Sequence, residues 1–235
     1  MAQILTVAVC ICNGVTYTDF IPPMEILSSV NVPATETLAL LGDVMKNVPY
    51  KFAIDYVAPT KEPVGGTVST LPKLNPTQTY SEALSKGIQY DIIWIPAGPL
   101  APDPVTGKNP TPEEQIDFIR KQGPGAKYIM SVCAGSLQLA MAGLLDGKRA
   151  TTNKALYKVI VNETSKAINW VPKARWVIDG NVWTSSGVAA GSDMALAFLE
   201  HLFGRELAQF VRGVFEIPEV NNSEDDPFAA FHGLV

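Results

Sequence analysis

The stretch AKYIMSVCAGSLQLAMAGLL, residues 126–145, sets the expected architecture of this chain. Residues 126–132 are mostly apolar and predict a buried strand, whereas residues 135–145 have the spacing of a helix. Between them, Cys133-Ala134-Gly135 allows a tight turn, because small residues let the chain reverse without a clash. A strand that passes directly into a helix in this way is typical of α/β proteins.

The rest of the chain continues this alternation. Strands are predicted at residues 4–12, 50–57, 90–96 and 149–152, with a short strand within 62–76 and a hairpin at 176–184 that turns at Asp179-Gly180. Helices are predicted at residues 19–30, 112–121, 154–163, 188–203 and 205–215. Residues 99–112, with five prolines, predict a long loop, and residues 221–235 a terminal tail. The pattern predicts one α/β domain over residues 1–235, with a mostly parallel sheet covered on both faces.

Composition narrows the function classes. The chain has 235 residues, 47% of them apolar and 17% charged, which is ordinary for a globular protein. The net charge is −5 without a Lys/Arg block, so we expect neither a nucleic-acid nor a membrane partner. The apolar run at residues 4–12 is too short for a membrane span or a signal peptide. Three cysteines without a C-x-x-C pair predict free thiols in a reducing compartment, the cytoplasm.

Cofactor motifs are missing from the sequence. No His/Cys cluster has metal-ligand spacing, and neither a P-loop nor a G-x-G-x-x-G follows a strand. We therefore expect no metal and no other cofactor.

Three segments fall at the C-terminal ends of predicted strands, where parallel sheets bind ligands: residues 13–19, 96–99 and 131–136. Cys133 would lie at a helix N-terminus, where free N–H groups and the helix dipole favour an anion. We therefore expect a lowered thiol pKa and a reactive thiolate, beside N–H groups that could hold an oxyanion. An inert core cysteine is the alternative for Cys133. Cys10 and Cys12, inside a strand, are predicted to be core residues.

Five segments in this order resemble the ThiJ/PfpI superfamily, which includes the human Parkinson-disease deglycase and the bacterial isonitrile hydratases. They are residues 14–27, 91–98, 131–136, 142–152 and 184–196. The ending Pro227-Phe228 is similar to the hydratase branch. The resemblance implies a flavodoxin-like three-layer sandwich related to class I glutamine amidotransferase domains, with a cysteine nucleophile elbow and usually a homodimeric assembly.

The resemblance also implies roles for single residues. Cys133 matches the elbow cysteine and Asp19 its partner acid, although an Asp before a helix is equally suited to be an N-cap. Glu25 is the second choice of acid. Gly98 matches the oxyanion-hole glycine, whose N–H would act together with that of Ala134.

Two positions depart from the family pattern. Thr151-Thr152-Asn153 stands where many members carry His, and because Asn cannot take a proton from a thiol, a Cys–His dyad is excluded there. Ala134 replaces the Thr that often follows the nucleophile in hydratases. His201 and His232 are the chain's two histidines, and both are predicted to be structural or exposed.

The sequence thus predicts a cofactor-independent enzyme in which the Cys133 thiolate attacks a small electrophile while Asp19 transfers protons. The closest branch implies an isonitrile, hydrated to an N-formamide; a reactive aldehyde such as methylglyoxal is the alternative substrate. An oxidation sensor without turnover, in which Cys133 is oxidised, is the alternative function. A binding or scaffold dimer with an idle Cys133 is the third hypothesis.

Overall fold

The computed structural model describes residues 2–32, 43–46, 48–100, 110–220 and 222–235. In these ranges the strands are β1 (Gln3–Cys10), β2 (Tyr50–Ala58), β3 (Gln78–Thr79), β4 (Ile92–Ile95), β5 (Tyr128–Val132), β6 (Arg149–Ala150), β7 (Asn169–Trp170), β8 (Trp176–Asp179) and β9 (Val182–Ser185). The α-helices are α1 (Ile21–Ser28), α2 (Tyr80–Ser85), α3 (Glu113–Gln122), α4 (Gly135–Met141), α5 (Tyr157–Glu163), α6 (Val188–Phe203), α7 (Arg205–Phe215) and α8 (Pro227–Phe231).

One sheet of seven strands organises the molecule, in the order β3-β2-β1-β4-β5-β9-β8. All neighbours in it are parallel except β8 and β9, which form the predicted antiparallel hairpin. A second, two-stranded sheet pairs β6 with β7. Because the chain moves outward from β1 to β2 and then returns to place β4 on the other side of β1, a crevice opens beyond the C-terminal ends of β1 and β4.

Alternate side chains of each central strand feed two separate cores. On β1, Leu5, Val7 and Val9 join a cluster that includes residues of α1, α6 and α7. Ala8 and Cys10 point to the other face, where residues of α2, α3 and α4 pack. Strands buried on both faces are typical of parallel sheets, which explains their continuous apolar runs. The predicted α/β sandwich of three layers is confirmed.

Several predicted boundaries need correction. β1 ends at Cys10, two residues early, and α1 begins at Ile21 because Tyr17–Asp19 forms a 3-10 turn instead. The helix after the elbow stops at Met141 rather than residue 145, since Gly143 adopts a φ of +76°. By contrast, α6 and α7 have the predicted bounds.

Short elements were missed. Residues 62–76 hold isolated bridges rather than a strand, and β3, α2 and β7 were not predicted. Residues 222–235 are not a loose tail, because they include α8, which Asp226 caps through its side chain. Most of the predicted loop at 99–112 lies outside the described residues.

Candidate active site

The turn at Cys133 has the geometry of a nucleophile elbow. Cys133 has a φ of +58°, which is unusual for a residue other than glycine. Its N–H donates to the Ser186 carbonyl at 2.8 Å, and its own carbonyl accepts from Thr152 Oγ1 at 3.1 Å and from Ser136 Oγ at 3.3 Å. These bonds hold the strained backbone between β5 and α4, so the predicted strand-to-helix turn is confirmed.

Asp19 is fully buried at the end of the loop that follows β1. Its Oδ2 accepts from the Ala97 N–H at 2.9 Å, and its backbone carbonyl accepts from Trp94 Nε1 at 3.0 Å. Its Oδ1 has no hydrogen-bond partner among the residues that the structure describes. The N-cap interpretation is wrong, because the residue that caps α1 is Phe20 and no side chain caps it.

The pKa of Asp19 is raised to about 7, because burial disfavours the charged carboxylate more than the Ala97 N–H stabilises it. A carboxyl that titrates near neutral pH can both accept and return a proton under physiological conditions. The sequence indicated Asp19 as the acid, but its raised pKa results from burial, which the sequence alone does not show.

The expected lowering of the Cys133 pKa is wrong. Burial raises this pKa to about 12, and the negative charge of Asp19 raises it as well. The Ala134 N–H and the Asn153 side chain lower it, but they do not offset burial, since the residue is only 7% exposed. With Asp19 ionised, the resting sulfur therefore keeps its proton, and the thiolate has to form as the thiol gives that proton away.

The two predicted oxyanion donors lie in different settings. The Ala134 N–H lowers the pKa of the Cys133 thiol, since it stabilises negative charge on the sulfur. Gly98 follows β4, and its N–H has no partner among the described residues. A Cβ on Gly98 would lie 3.2 Å from Gln138 Nε2, whose amide holds the preceding turn by donating to the Pro96 carbonyl at 3.0 Å. A shared oxyanion hole of Gly98 and Ala134 stays a prediction.

Asn153 is a site residue that the sequence analysis missed. Its Nδ2 donates to Cys133 Sγ at 3.2 Å, while its Oδ1 accepts from the Leu156 N–H at 3.2 Å. The sequence drew attention to this position only as one that lacks the family's His. It gave no signal that the amide would contact the sulfur.

Among the described residues, none of the other candidates forms a hydrogen bond with the Cys133 sulfur. Glu25 is exposed on α1, which weakens it as the acid. His201 is exposed and contacts the Tyr128 hydroxyl at 3.2 Å within an aromatic cluster, and His232 stacks edge-on against Phe231.

The remaining cysteines behave as core residues. Cys10 and Cys12 are free and buried, and burial raises both pKa values, that of Cys12 to about 12. Across the part of the chain that is described, no group of three or more His, Cys, Asp or Glu residues could hold a metal ion. Nor does any described helix combine the length and the apolar character that crossing a membrane requires.

Comparisons with known proteins agree with this architecture. The model of the DJ-1/PfpI family matches residues 5–201. Isonitrile hydratase of Pseudomonas putida is 36% identical over 187 residues, which are 77% of this chain and 73% of the hydratase. A ThiJ/PfpI family protein from Pseudomonas syringae superimposes with a TM-score of 0.67 at 24% identity, covering 100% of this chain and 87% of that one. Drosophila melanogaster DJ-1beta superimposes with a TM-score of 0.67 at 21% identity, covering 93% and 100%.

Proposed function

We propose that this chain, which belongs to the DJ-1/PfpI family, is a cofactor-independent cysteine hydratase that converts isonitriles into N-formamides. One observation carries the proposal: a fully buried carboxyl, Asp19, whose pKa is about 7, acts electrostatically on the thiol of an elbow cysteine, Cys133. The hydratase of Pseudomonas putida, 36% identical, supports the choice of substrate.

In the first half-reaction, the ionised Asp19 takes the thiol proton as Cys133 Sγ attacks the terminal carbon of the isonitrile. A sulfur–carbon bond forms, and the electron pair that develops on carbon takes the proton back from Asp19. The product is a thioimidate, Cys133–S–CH=N–R, with Asp19 again ionised. Because Oδ1 has no described partner, it is the oxygen we assign to this proton transfer. The Ala134 N–H stabilises negative charge on the sulfur.

In the second half-reaction, water adds to the thioimidate carbon and Asp19 relays one of its protons to nitrogen. The resulting tetrahedral species then loses its hydroxyl proton to Asp19 as the carbon–sulfur bond breaks. That step releases R–NH–CHO, and the proton returns to sulfur. The sum is R–NC plus H₂O giving R–NH–CHO, and no external oxidant or reductant is needed.

The alternatives fit the geometry less well. The aldehyde alternative draws on family members that carry His at the position of Asn153, and an amide there cannot take a proton. An oxidation sensor requires a resting thiolate, whereas burial and the charge of Asp19 keep the Cys133 pKa high.

The decisive experiment offers an alkyl isonitrile and, separately, methylglyoxal to the purified protein. We expect N-formamide from the isonitrile and no detectable turnover of methylglyoxal. Cys133→Ser should lower isonitrile turnover at least about a thousandfold, as expected on loss of a covalent nucleophile.

Cys10→Ala is the matched control, because Cys10 is also a buried cysteine but faces the other core, so it should retain turnover. If the folded wild type forms no N-formamide, the proposal fails. Formation of a Cys133 oxygen adduct under mild peroxide, without turnover of either substrate, would favour the sensor instead.

A further inference from the structure

We propose that Asn153 is a catalytic hydrogen-bond donor that contacts the reacting sulfur and restricts this site to chemistry needing one proton-transfer group. The inference rests on the proposed function for its substrate, but its main evidence is geometric. Asn153 Nδ2 lies 3.2 Å from Cys133 Sγ, which is within hydrogen-bond distance for sulfur. Among the described residues, Asn153 is the one side chain that donates a hydrogen bond to the Cys133 sulfur.

The orientation of the amide is set by the backbone. Asn153 Oδ1 accepts from the Leu156 N–H at 3.2 Å, so the NH₂ group must be the end that faces the sulfur. This contact resolves which end of the amide is the donor, since an exchanged amide would set an oxygen against the thiol and an NH₂ group against an N–H. Asn153 therefore favours the anionic form of Cys133.

The segment that carries Asn153 is anchored on both sides. Thr152 Oγ1 donates to the Cys133 carbonyl at 3.1 Å, and the Thr151 N–H donates to Thr184 Oγ1 at 2.8 Å. The buried Lys154 Nζ donates to Thr151 Oγ1 at 2.7 Å and also to the Ala174 carbonyl. Because these bonds exist before substrate arrives, the donor needs no reorganisation when negative charge develops on sulfur.

A fixed amide differs from an imidazole at the same position. An imidazole titrates near neutral pH and can take or give a proton, whereas the NH₂ end of an amide donates hydrogen bonds at every working pH and takes no proton. Asp19 on the β1 side is then the acid and base of the site. Addition to an isonitrile proceeds with that one group, because its successive proton transfers can all use the same carboxyl.

The test measures the rate of iodoacetamide alkylation of Cys133 against pH, with Cys133→Ser for the background. Asn153→Asp keeps the shape and the acceptor for Leu156, but it places a negative charge where the donor was. We expect alkylation at pH 8 to slow about tenfold or more, because well below the thiol pKa each unit by which that pKa rises lowers the thiolate fraction tenfold. Asn181→Asp is the matched control, because Asn181 Nδ2 donates to a backbone carbonyl far from the elbow, that of Ala126. Its profile should equal that of the wild type.

Gly187→Ala provides a second perturbation that leaves Asn153 in place. A Cβ on Gly187 would lie 3.3 Å from Asn153 Nδ2 and push the amide, so alkylation should slow in the same direction by a smaller factor. Asn153→His restores a titrating group, and we expect its pH profile to gain a further inflection and its methylglyoxal turnover to rise above that of the wild type.

The alkylation readout separates this inference from the proposed function. If the wild type does not turn over the isonitrile but Asn153→Asp still slows the alkylation of Cys133, the proposed hydratase activity is refuted. The role of Asn153 as a hydrogen-bond donor to the sulfur then stands. If Asn153→Asp and Gly187→Ala are folded and their alkylation profiles coincide with that of the wild type, the proposed role of Asn153 is overturned.

Discussion

At the scale of single residues, the site is an acid and a thiol that compete for one proton in a buried setting. Sequence similarity indicates both Cys133 and Asp19, but the direction that the sequence analysis predicted for the thiol pKa is wrong. The helix N-terminus argues for a thiolate, whereas burial and the neighbouring carboxylate argue against it and prevail. Burial depends on what packs around a group, and a motif does not contain that information.

Asp19→Asn should abolish turnover and stabilise the fold above neutral pH. The pKa of Asp19 is about 7 in the folded state and lies near 4 in an unfolded chain, so the folded state binds more protons between these values. Stability is therefore highest below the unfolded pKa and falls as pH rises toward 7. An amide removes this loss, and its oxygen can still accept from the Ala97 N–H.

The measurements are urea unfolding at pH 5 and pH 8 and the pH dependence of turnover. We expect Asp19→Asn to be more stable than the wild type by about 4 kcal/mol at pH 8 and by clearly less at pH 5, since the pKa is raised by about three units and one unit is worth about 1.4 kcal/mol. Wild-type kcat/KM should fall as pH drops through about 7, where Asp19 becomes protonated. Asp117→Asn, at an exposed ion pair, is the control. Equal stability of Asp19→Asn and wild type at pH 8 would contradict the raised pKa.

At the scale of elements, the elbow depends on how closely α4 approaches β4. A Cβ on Gly135 would lie 2.0 Å from the Ile95 carbonyl oxygen, which is a backbone atom that cannot rotate away. Gly135→Ala should therefore destabilise the fold by at least about 3 kcal/mol or displace the elbow. We expect a large drop in the urea midpoint. We also expect alkylation to lose its selectivity for Cys133 over the buried Cys10 and Cys12.

Gly213→Ala is the opposite case and serves as control. Gly213 lies inside α7, and a Cβ there would meet nothing within 4 Å. Alanine should stabilise this helix by about 0.5–1 kcal/mol, because glycine loses more backbone entropy on folding. If both substitutions change the midpoint alike, the close approach of α4 to β4 does not limit the fold.

An element could be predicted from the sequence when its own residues, rather than a neighbouring strand, account for its stability. Helices α6 and α7 begin and end at the predicted residues, because each is long and Gly187 and Gly204 mark their boundaries. Strands β3 and β7 have two residues each, too few for a periodic pattern, and exist because a neighbouring strand pairs with them. Asn153 was missed because its role likewise depends on a neighbour in space. The fold brings β5 and residues 151–154 together, and only then does the Asn153 amide contact the sulfur.

At the scale of the whole molecule, the C-terminal segment, residues 222–235, is held by a buried ionic cluster. Arg175 pairs with Asp193 at 2.6 Å and with Asp226 at 3.7 Å, and Lys154 is close enough to Asp226 for its charge to act on it. The Arg175 N–H also donates to the Ser223 carbonyl at 2.6 Å. Two positive and two negative charges thus balance in the interior.

This cluster is linked to the elbow through the backbone. The Arg175 carbonyl accepts from the Ser186 N–H at 2.8 Å, and the Ser186 carbonyl accepts from the Cys133 N–H at 2.8 Å. Loss of the Arg175 side chain should therefore affect the C-terminal segment first, and the elbow only through this pair of backbone bonds.

Arg175→Met should destabilise the protein by about 3–5 kcal/mol, because it leaves Asp193 as a buried charge without its ion-pair partner and Asp226 with only the charge of Lys154 to balance it. The control is Arg149→Met, which removes an ion pair to Glu224 in the same segment, but one in which both side chains are about half exposed. Exposed pairs contribute about 0–1 kcal/mol, so this variant should stay close to wild type. Urea unfolding measures the difference, and amide hydrogen exchange over residues 222–235 shows whether the segment is released. Equal stability of the two variants would mean that burial does not make the Arg175 cluster the anchor of this segment.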